Sequence, residues 1–284
     1  MEKIVEKASI LIEALPYIKK FRGKEVVIKY GGAAMDNDEI RKNILHDLVF
    51  MNYVGIKPIL IHGGGPLINK RMIESGIKPR FVEGLRYTDQ KVIDIVVNSL
   101  ADINKEMVHD INQFGARAIG LSGHDNEILN VAKVKCTEDV GFVGEVLSVN
   151  IMPIRELTEF NIIPVVYPVG YDEQGDTYNV NADEASAKIA IALKAQKMMV
   201  LTGAPGIMRD VNEHESLIST VHVDEMAKLH TSKVISGGMI PKVKACVEAV
   251  KNGVTKTHIV DGRLKHSLLL EVFTEQGIGT EIVM

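Results

Sequence analysis

At 284 residues, with 46% hydrophobic and 25% charged side chains, the chain can fold as one large α/β domain or two lobes and has the balance of an ordinary globular protein. A net charge of −4 without a sustained Lys/Arg run excludes an extended nucleic-acid surface and leaves small-molecule chemistry as the default. Cys136 and Cys246 fit no metal-ligand spacing, no HExxH occurs, and no run approaches the ~18 apolar residues of a membrane span, so reduced thiols in a cytoplasmic protein are expected.

Ile4, Ala8, Leu11, Leu15 and Ile18 recur at spacings of three and four, which predicts a helix over 3–21 that Pro16 should kink or end near Leu15. It precedes the first strand and can serve as an arm, packing on its own domain or reaching a neighbouring subunit. Val26, Val27 and Ile28 are a β-branched run suited to a buried strand, and the run ends in Lys29 and the pair Gly31-Gly32, followed by Ala33-Ala34. Asp36 to Asp38 can cap a helix carrying Ile40, Ile44, Leu45, Leu48 and Val49, stopped at Gly55. Residues 58–61 form a second apolar strand that runs into His62-Gly63-Gly64-Gly65, completing a parallel βαβ unit. A glycine pair after a strand is by itself most often a turn. Two such loops delivered to one sheet edge, one of them with a strand-end lysine, suit a phosphate, because ligands of open α/β sheets sit at the carboxyl ends of the strands. The short helix over 66–75 points its positive N-terminus at the second loop.

Thr88 is expected to cap a long amphipathic helix through Val92, Ile95, Val96, Ile103, Met107, Ile111 and Phe114. Just before it, Arg86 can clamp a carboxylate or pair with Asp89 at the surface. Residues 116–121 read as a buried strand, 128–149 as a β-hairpin excursion, 153–160 as a short helix and 162–169 as a strand. The polar stretch 172–176 marks a lobe boundary near 170–178. In Asn179-Val180-Asn181-Ala182-Asp183, ahead of a helix through Ala185, Ile189 and Leu193, one polar side chain is needed as a cap and the others are surplus. Met198 to Leu201 is a strand whose exit is Thr202-Gly203. Gly237-Gly238-Met239-Ile240-Pro241-Lys242 opens another helix, and a lysine in a helix's first turn opposes the macrodipole and so asks for an anion. A strand at 258–260, a helix at 268–270 and a last strand around Ile282 complete the chain.

Lys29 and Lys242 come from opposite halves of the sequence, and Asp183 lies between them. Two lysines brought together would repel by several kcal/mol unless one carboxylate holds both. That trio can neutralise a transferring phosphoryl group, whose catalysis is mostly positioning and electrostatics. Neither a GxxxxGK[ST] loop nor a GxGxxG fingerprint is present, so any nucleotide is held by a different loop.

These motifs, 28–32, 62–66, 84–89, 179–183 and 237–242, resemble in order and together the amino-acid kinase family, over nearly the whole chain, and within it the branch that phosphorylates N-acetyl-L-glutamate in arginine biosynthesis. The resemblance implies a three-layer αβα sandwich around a mainly parallel sheet, with an arm over 1–24, an acetylglutamate lobe over 25–177 and an ATP lobe over 178–284. It implies that Lys29 and Lys242 stabilise the transition state and Asp183 orients them. Gly64, Gly65, Arg86 and Asn179 would hold acetylglutamate, and Gly31, Gly32, Thr202, Gly203 and Gly238 the nucleotide, whose Mg2+ needs no protein metal site. The acceptor carboxylate is ionised at neutral pH, with a pKa of about 4.3, and needs no general base. Similarity to an arginine-inhibited, hexameric branch, a trimer of dimers, implies an arginine site at His258, Glu271 and Gly277. Where the family usually has Leu-Thr-Asp-Val, this chain has Leu201-Thr202-Gly203-Ala204, so an acidic group beside the nucleotide is missing. The rival expectations are a family member acting on aspartate, glutamate, carbamate or a nucleoside monophosphate, and a non-catalytic arginine or acetylglutamate sensor.

Overall fold

The computed structural model describes every residue except Met1, Ala33, Ala34, Asp36, Asn212, Glu275 and Gln276, and only the backbone of 2–11 and His214. In chain order the elements are α1 (Glu2–Phe21), β1 (Glu25–Tyr30), α2 (Asp38–Tyr53), β2 (Lys57–His62), α3 (Gly65–Glu74), β3 (Phe81–Val82), β4 (Leu85–Arg86) and α4 (Gln90–Gln113). Next come β5 (Ala118–Ser122), β6 (Leu129–Lys133), β7 (Val143–Val149), α5 (Met152–Glu159), β8 (Ile163–Tyr167), β9 (Val169–Tyr171), β10 (Thr177–Val180) and α6 (Ala182–Leu193). The last are β11 (Lys197–Thr202), β12 (Thr220–His222), α7 (Met226–Thr231), α8 (Met239–Lys251), β13 (Lys256–Asp261), α9 (Ser267–Val272) and β14 (Thr280–Val283).

Eight strands form one sheet in the order β12-β14-β13-β11-β1-β2-β8-β5, parallel throughout except for the β13/β14 pair. Both faces of β1 are buried, so its sequence reads as a continuous apolar run rather than an alternation. Period two still sorts the side chains. Val27 packs with Ala185, Ile189, Val243 and Ala249 of α6 and α8, whereas Val26, Ile28 and Tyr30 pack with Ile44, Leu48 and Met107 of α2 and α4. Each such side chain contributes about 1.5–3 kcal/mol by leaving water. Lys29 shares the parity of Val27 and therefore faces α6; His62 shares that of Leu60 and faces α4.

β6, β7, β9 and β10 close into a small barrel, with β6 and β7 as the anticipated hairpin. The polar stretch 172–176 is the turn of a second hairpin in this barrel: β9 and β10 pair antiparallel across it, and Asp172 Oδ1 accepts from the Gln174 and Asp176 N–H groups. β10, beyond the turn, thus still belongs to the barrel.

Other local expectations shift for identifiable reasons. α1 runs through Pro16 to Phe21 instead of ending near Leu15. The stripe residues Ile4, Ala8 and Leu11 lie outside the described side chains, while Ile12 and Leu15 are exposed and Phe21 is buried. Asp36 likewise lies outside the described residues, and the cap of α2 is Asn37, whose Oδ1 accepts from Glu39 N at 2.9 Å and Ile40 N at 3.1 Å. Asp89, not Thr88, caps α4, accepting from Val92 N at 3.0 Å. The strand expected over 162–169 divides between sheet and barrel on either side of Pro168. β5 is an edge strand, so Ile119 and Gly120 on it are exposed.

Candidate active site

Parallel pairing sets Lys29 beside Ile61 on β2 and Val200 on β11, so the exits of all three strands lie along one carboxyl edge. The two glycine loops join there, Gly63 N–H donating to the Tyr30 carbonyl at 2.9 Å. α6 starts at this edge. Its cap is Asn181, accepting from Asp183 N at 2.8 Å and Glu184 N at 3.2 Å, which leaves the Asp183 carboxylate free of capping. That carboxylate binds both lysines, with Oδ1 at 2.9 Å from Lys29 Nζ and Oδ2 at 3.0 Å from Lys242 Nζ in the first turn of α8.

Lys29 and Asp183 are each 5% exposed. Burial alone would raise the Asp183 carboxyl, but Lys29 and Lys242 outweigh it and hold the group below the usual carboxylate range. Burial pushes Lys29 down, and so does Lys242, while Asp183 opposes them. Two ammonium groups against one carboxylate leave an unbalanced positive charge beside the N-termini of α3, α6 and α8. Such a place is built for an anion.

A further buried cation is on β4, which forms a two-stranded ribbon with β3. Arg86 is 8% exposed, its guanidinium 4.8 Å from the centroid of Phe81 and its Nη1 3.1 Å from Met72 Sδ. Asp89 caps α4, and among the described residues no carboxylate pairs with Arg86. Burial lowers its pKa, so this cation sits in the protein without its counter-charge. Asn179 Nδ2 donates to Thr88 Oγ1 at 3.3 Å, and that hydroxyl donates to the Arg86 carbonyl at 2.8 Å. Arg86, Thr88 and Asn179 thus form one chain across ribbon and barrel, with the Thr88 hydroxyl as its link rather than as a helix cap.

The sequence model of the amino acid kinase family matches residues 24–261. The chain belongs to the amino acid kinase family. The acetylglutamate kinase of Heliobacterium modesticaldum is 49% identical over 294 residues and covers all of both chains. That of Thermoanaerobacter pseudethanolicus is 50% identical over 279 residues, 98% of this chain and 93% of the relative. Among solved structures, the N-acetylglutamate synthase of Neisseria gonorrhoeae complexed with coenzyme A and N-acetyl-glutamate superposes with a TM-score of 0.85 at 24% identity, covering 98% of this chain and 63% of that one. The same synthase complexed with coenzyme A and L-arginine gives 0.78 at 25% identity, covering 97% and 65%. The three-layer fold is that of the family.

In this family member the glycines are shaped by their neighbours. A Cβ on Gly31 would lie 3.2 Å from Lys29 Nζ, and one on Gly64 would lie 2.8 Å from Leu100 Cδ2. Gly32 has φ +73°, the left-handed region that glycine occupies without strain. At the exit of β11 Thr202 is buried, and a Cβ on Gly238 would meet nothing within 4 Å. Gly203 follows Thr202 without an acid, yet one stands on the adjacent strand: Asp261 is in register with Thr202, and Gly262 N–H donates to the Thr202 carbonyl at 2.9 Å. Its carboxylate is engaged by Arg263, with Oδ1 at 2.9 Å from Nε and Oδ2 at 2.8 Å from Nη2. Neither residue stood out in the sequence, because Asp-Gly-Arg after a strand reads as a turn.

His258, Glu271 and Gly277 gather at the opposite, amino edge of the sheet. His258 Nδ1 lies 2.6 Å from Glu271 Oε1, while Oε2 accepts from Ile278 N at 2.8 Å and Gly279 N at 3.2 Å. A Cβ on Gly277 would sit 2.9 Å from both carboxylate oxygens. They border a cavity of about 810 Å³ reached by Tyr17, Lys20 and Phe21 at the end of α1. Lys197, absent from the sequence expectations, is buried there with its pKa pushed down to about 8 by burial, its Nζ 5.5 Å from the centroid of the Phe21 ring.

Proposed function

We propose that the protein transfers the γ-phosphoryl group of ATP to the γ-carboxylate of N-acetyl-L-glutamate, giving N-acetyl-L-glutamyl 5-phosphate and ADP in arginine biosynthesis. The observation that carries this reading is the Lys29–Asp183–Lys242 clamp at the mouth of two glycine loops. A carboxylate oxygen forms the new bond to phosphorus, and the bond from phosphorus to the β,γ-bridging oxygen breaks, its electron pair leaving with ADP. No proton moves, because an acceptor with a pKa of about 4.3 is already ionised. Negative charge spreads over the phosphoryl oxygens during transfer, and Lys29 and Lys242 meet it from positions Asp183 has already fixed.

Acetylglutamate belongs to the lobe over 25–177, with its α-carboxylate on Arg86 and its γ-carboxylate at the Gly64 and Gly65 N–H groups, and its amide reaches Asn179 on β10, just past that boundary. The full-length relatives named acetylglutamate kinase support this substrate. A buried guanidinium with no counter-ion among the described residues is what an incoming carboxylate would complete. ATP belongs to the lobe over 178–284, along Thr202, Gly203 and Gly238, with its phosphates reaching Gly31 and Gly32 of the other lobe, and brings its Mg2+, which would neutralise phosphate oxygens.

At the amino edge the cavity around Glu271 suits L-arginine, with the carboxylate facing its guanidinium and His258 and Gly277 beside it. A related fold complexed with L-arginine supports this. The exposed Ile12 and Leu15 suit contact of α1 with other subunits in a hexamer built as a trimer of dimers. Gly203 favours one other reading, a non-catalytic arginine or acetylglutamate sensor.

The test is ADP release with N-acetyl-L-glutamate and with unacetylated glutamate, with and without millimolar arginine. Turnover confined to the acetylated substrate and suppressed by arginine is expected. Equal turnover on glutamate would overturn the substrate, indifference to arginine the regulatory site, and no ADP release with either substrate the enzyme itself in favour of the sensor.

A further inference from the structure

His62 closes β2 immediately before the triple glycine, is fully buried, and has no part in the charge clamp. We propose that His62, oriented by Asn104 of α4, is a positioning residue that holds the Gly63–Gly64 peptide so that the Gly64 N–H faces the phosphoryl acceptor. This rests on the functional reading above, in which that N–H binds the acceptor carboxylate.

The hydrogen bonds leave one consistent arrangement of protons. The Val165 carbonyl can only accept, so the Asn104 atom 2.8 Å from it is Nδ2. The same amino group lies 3.1 Å from His62 Nε2, which must therefore be the unprotonated nitrogen. Burial pushes the ring's pKa down to about 4, so near neutral pH it carries one proton, and that proton is on Nδ1. Nδ1 lies 2.9 Å from the Gly63 carbonyl and donates to it. In a trans peptide the carbonyl and the following N–H point in opposite directions. Pinning the Gly63 oxygen against the ring turns the Gly64 N–H away from it.

Among the described residues no backbone hydrogen bond holds the Gly63 carbonyl or the Gly64 N–H, so the ring is what fixes the orientation of that peptide. Gly63 N–H is engaged by Tyr30, and the first internal bond of α3 is Ile68 N–H to the Gly64 carbonyl, so the Gly64 N–H precedes every intrahelical bond. With glycine on both sides, side-chain sterics impose little on that peptide. The support behind the ring is itself close-fitting: a Cβ on Gly120 would lie 1.9 Å from Asn104 Oδ1, so the asparagine keeps this place only opposite a glycine.

Two substitutions separate the halves of the network. His62→Asn places an amide nitrogen near the position of Nδ1 and keeps the donor to Gly63, whereas His62→Gln reaches toward Asn104 and loses that donor. For His62→Gln, kcat with acetylglutamate should fall by at least about tenfold while KM for ATP stays within about threefold, since a misaimed transition-state donor lowers turnover rather than nucleotide binding. His62→Asn should retain kcat within about threefold of the parent. Equal losses in the two variants, or the reverse order, would overturn the proposal. A third measurement needs no variant: 15N NMR of the imidazole in the unaltered protein should find Nδ1 protonated, and a proton on Nε2 would overturn it as well. If the unaltered protein fails to phosphorylate acetylglutamate, the functional reading falls, while the tautomer still tests the network by itself.

Discussion

At the carboxyl edge of the sheet one carboxylate, Asp183, is shared by two ammonium groups, whereas at the amino edge Glu271 is met by an imidazole and two backbone N–H groups. The first arrangement is under-neutralised. Its surplus positive charge stands beside helix N-termini and a buried Arg86 that pairs with no acid among the described residues. The second sets its carboxylate at the wall of a cavity bordered by α1, where Lys20, Lys197 and Lys256 also stand. Strand direction separates the two: parallel strands gather glycine exits and helix starts at one end only. The other end is left for helix ends, the arm and the C-terminal strand.

The sharpest way to break the contrast is to remove one cation from the carboxyl edge. Lys29→Ala or Lys242→Ala should lower kcat by about two to three orders of magnitude, the scale for losing one preorganised donor; unchanged turnover in either would remove the clamp from the mechanism. The amino edge offers a pH test. Lys197 has a folded pKa of about 8 against an ordinary 10.5. Between those values the unfolded chain binds the extra proton, so stability should rise with pH there, by about 1.4 kcal/mol per unit, and lie at its lower level below pH 8. Denaturant titrations should show this slope diminished in Lys197→Met, and an identical slope in both proteins would refute the assignment.

Arg86→Leu tests the second anion site. It should raise KM for acetylglutamate by about 10- to 100-fold, the value of one charged hydrogen-bond pair, with a smaller effect on KM for ATP. A rise confined to ATP would place the guanidinium in the other lobe. The smallest expected effect is at the amino edge, where Glu271→Gln should raise the arginine concentration for half-inhibition about tenfold. Undiminished sensitivity would move the arginine site elsewhere.

The clamp residues were legible because each broke a local rule. Lys29 ends a strand of buried β-branched residues, Lys242 opposes a helix dipole, and Asp183 is surplus to the cap that Asn181 already provides. Arg86 was visible as a cation near a helix start, but its burial was not, because β3 and β4 are two residues each and carry no periodicity. The turn at 172–176 read as a boundary between lobes because polarity marks any turn, and only the pairing of β9 with β10 shows it to be a hairpin. Asn104 was hidden for a different reason. One asparagine on a long amphipathic helix has no sequence signal, and its partners His62 and Val165 lie 42 and 61 residues away.

By itself the sequence determined the alternation of buried strands and amphipathic helices, the glycine loops at strand ends and the charge types set beside them. These are local consequences of hydrophobic period, backbone freedom and helix dipoles. Tertiary structure alone decided which charges meet, that Arg86 is enclosed with no acid beside it among the described residues, that Glu271 faces the opposite edge, and which nitrogen of His62 carries its proton. Those properties belong to pairs and triples of groups brought within about 3 Å by strand register and helix packing, and no single residue carries the signal for them.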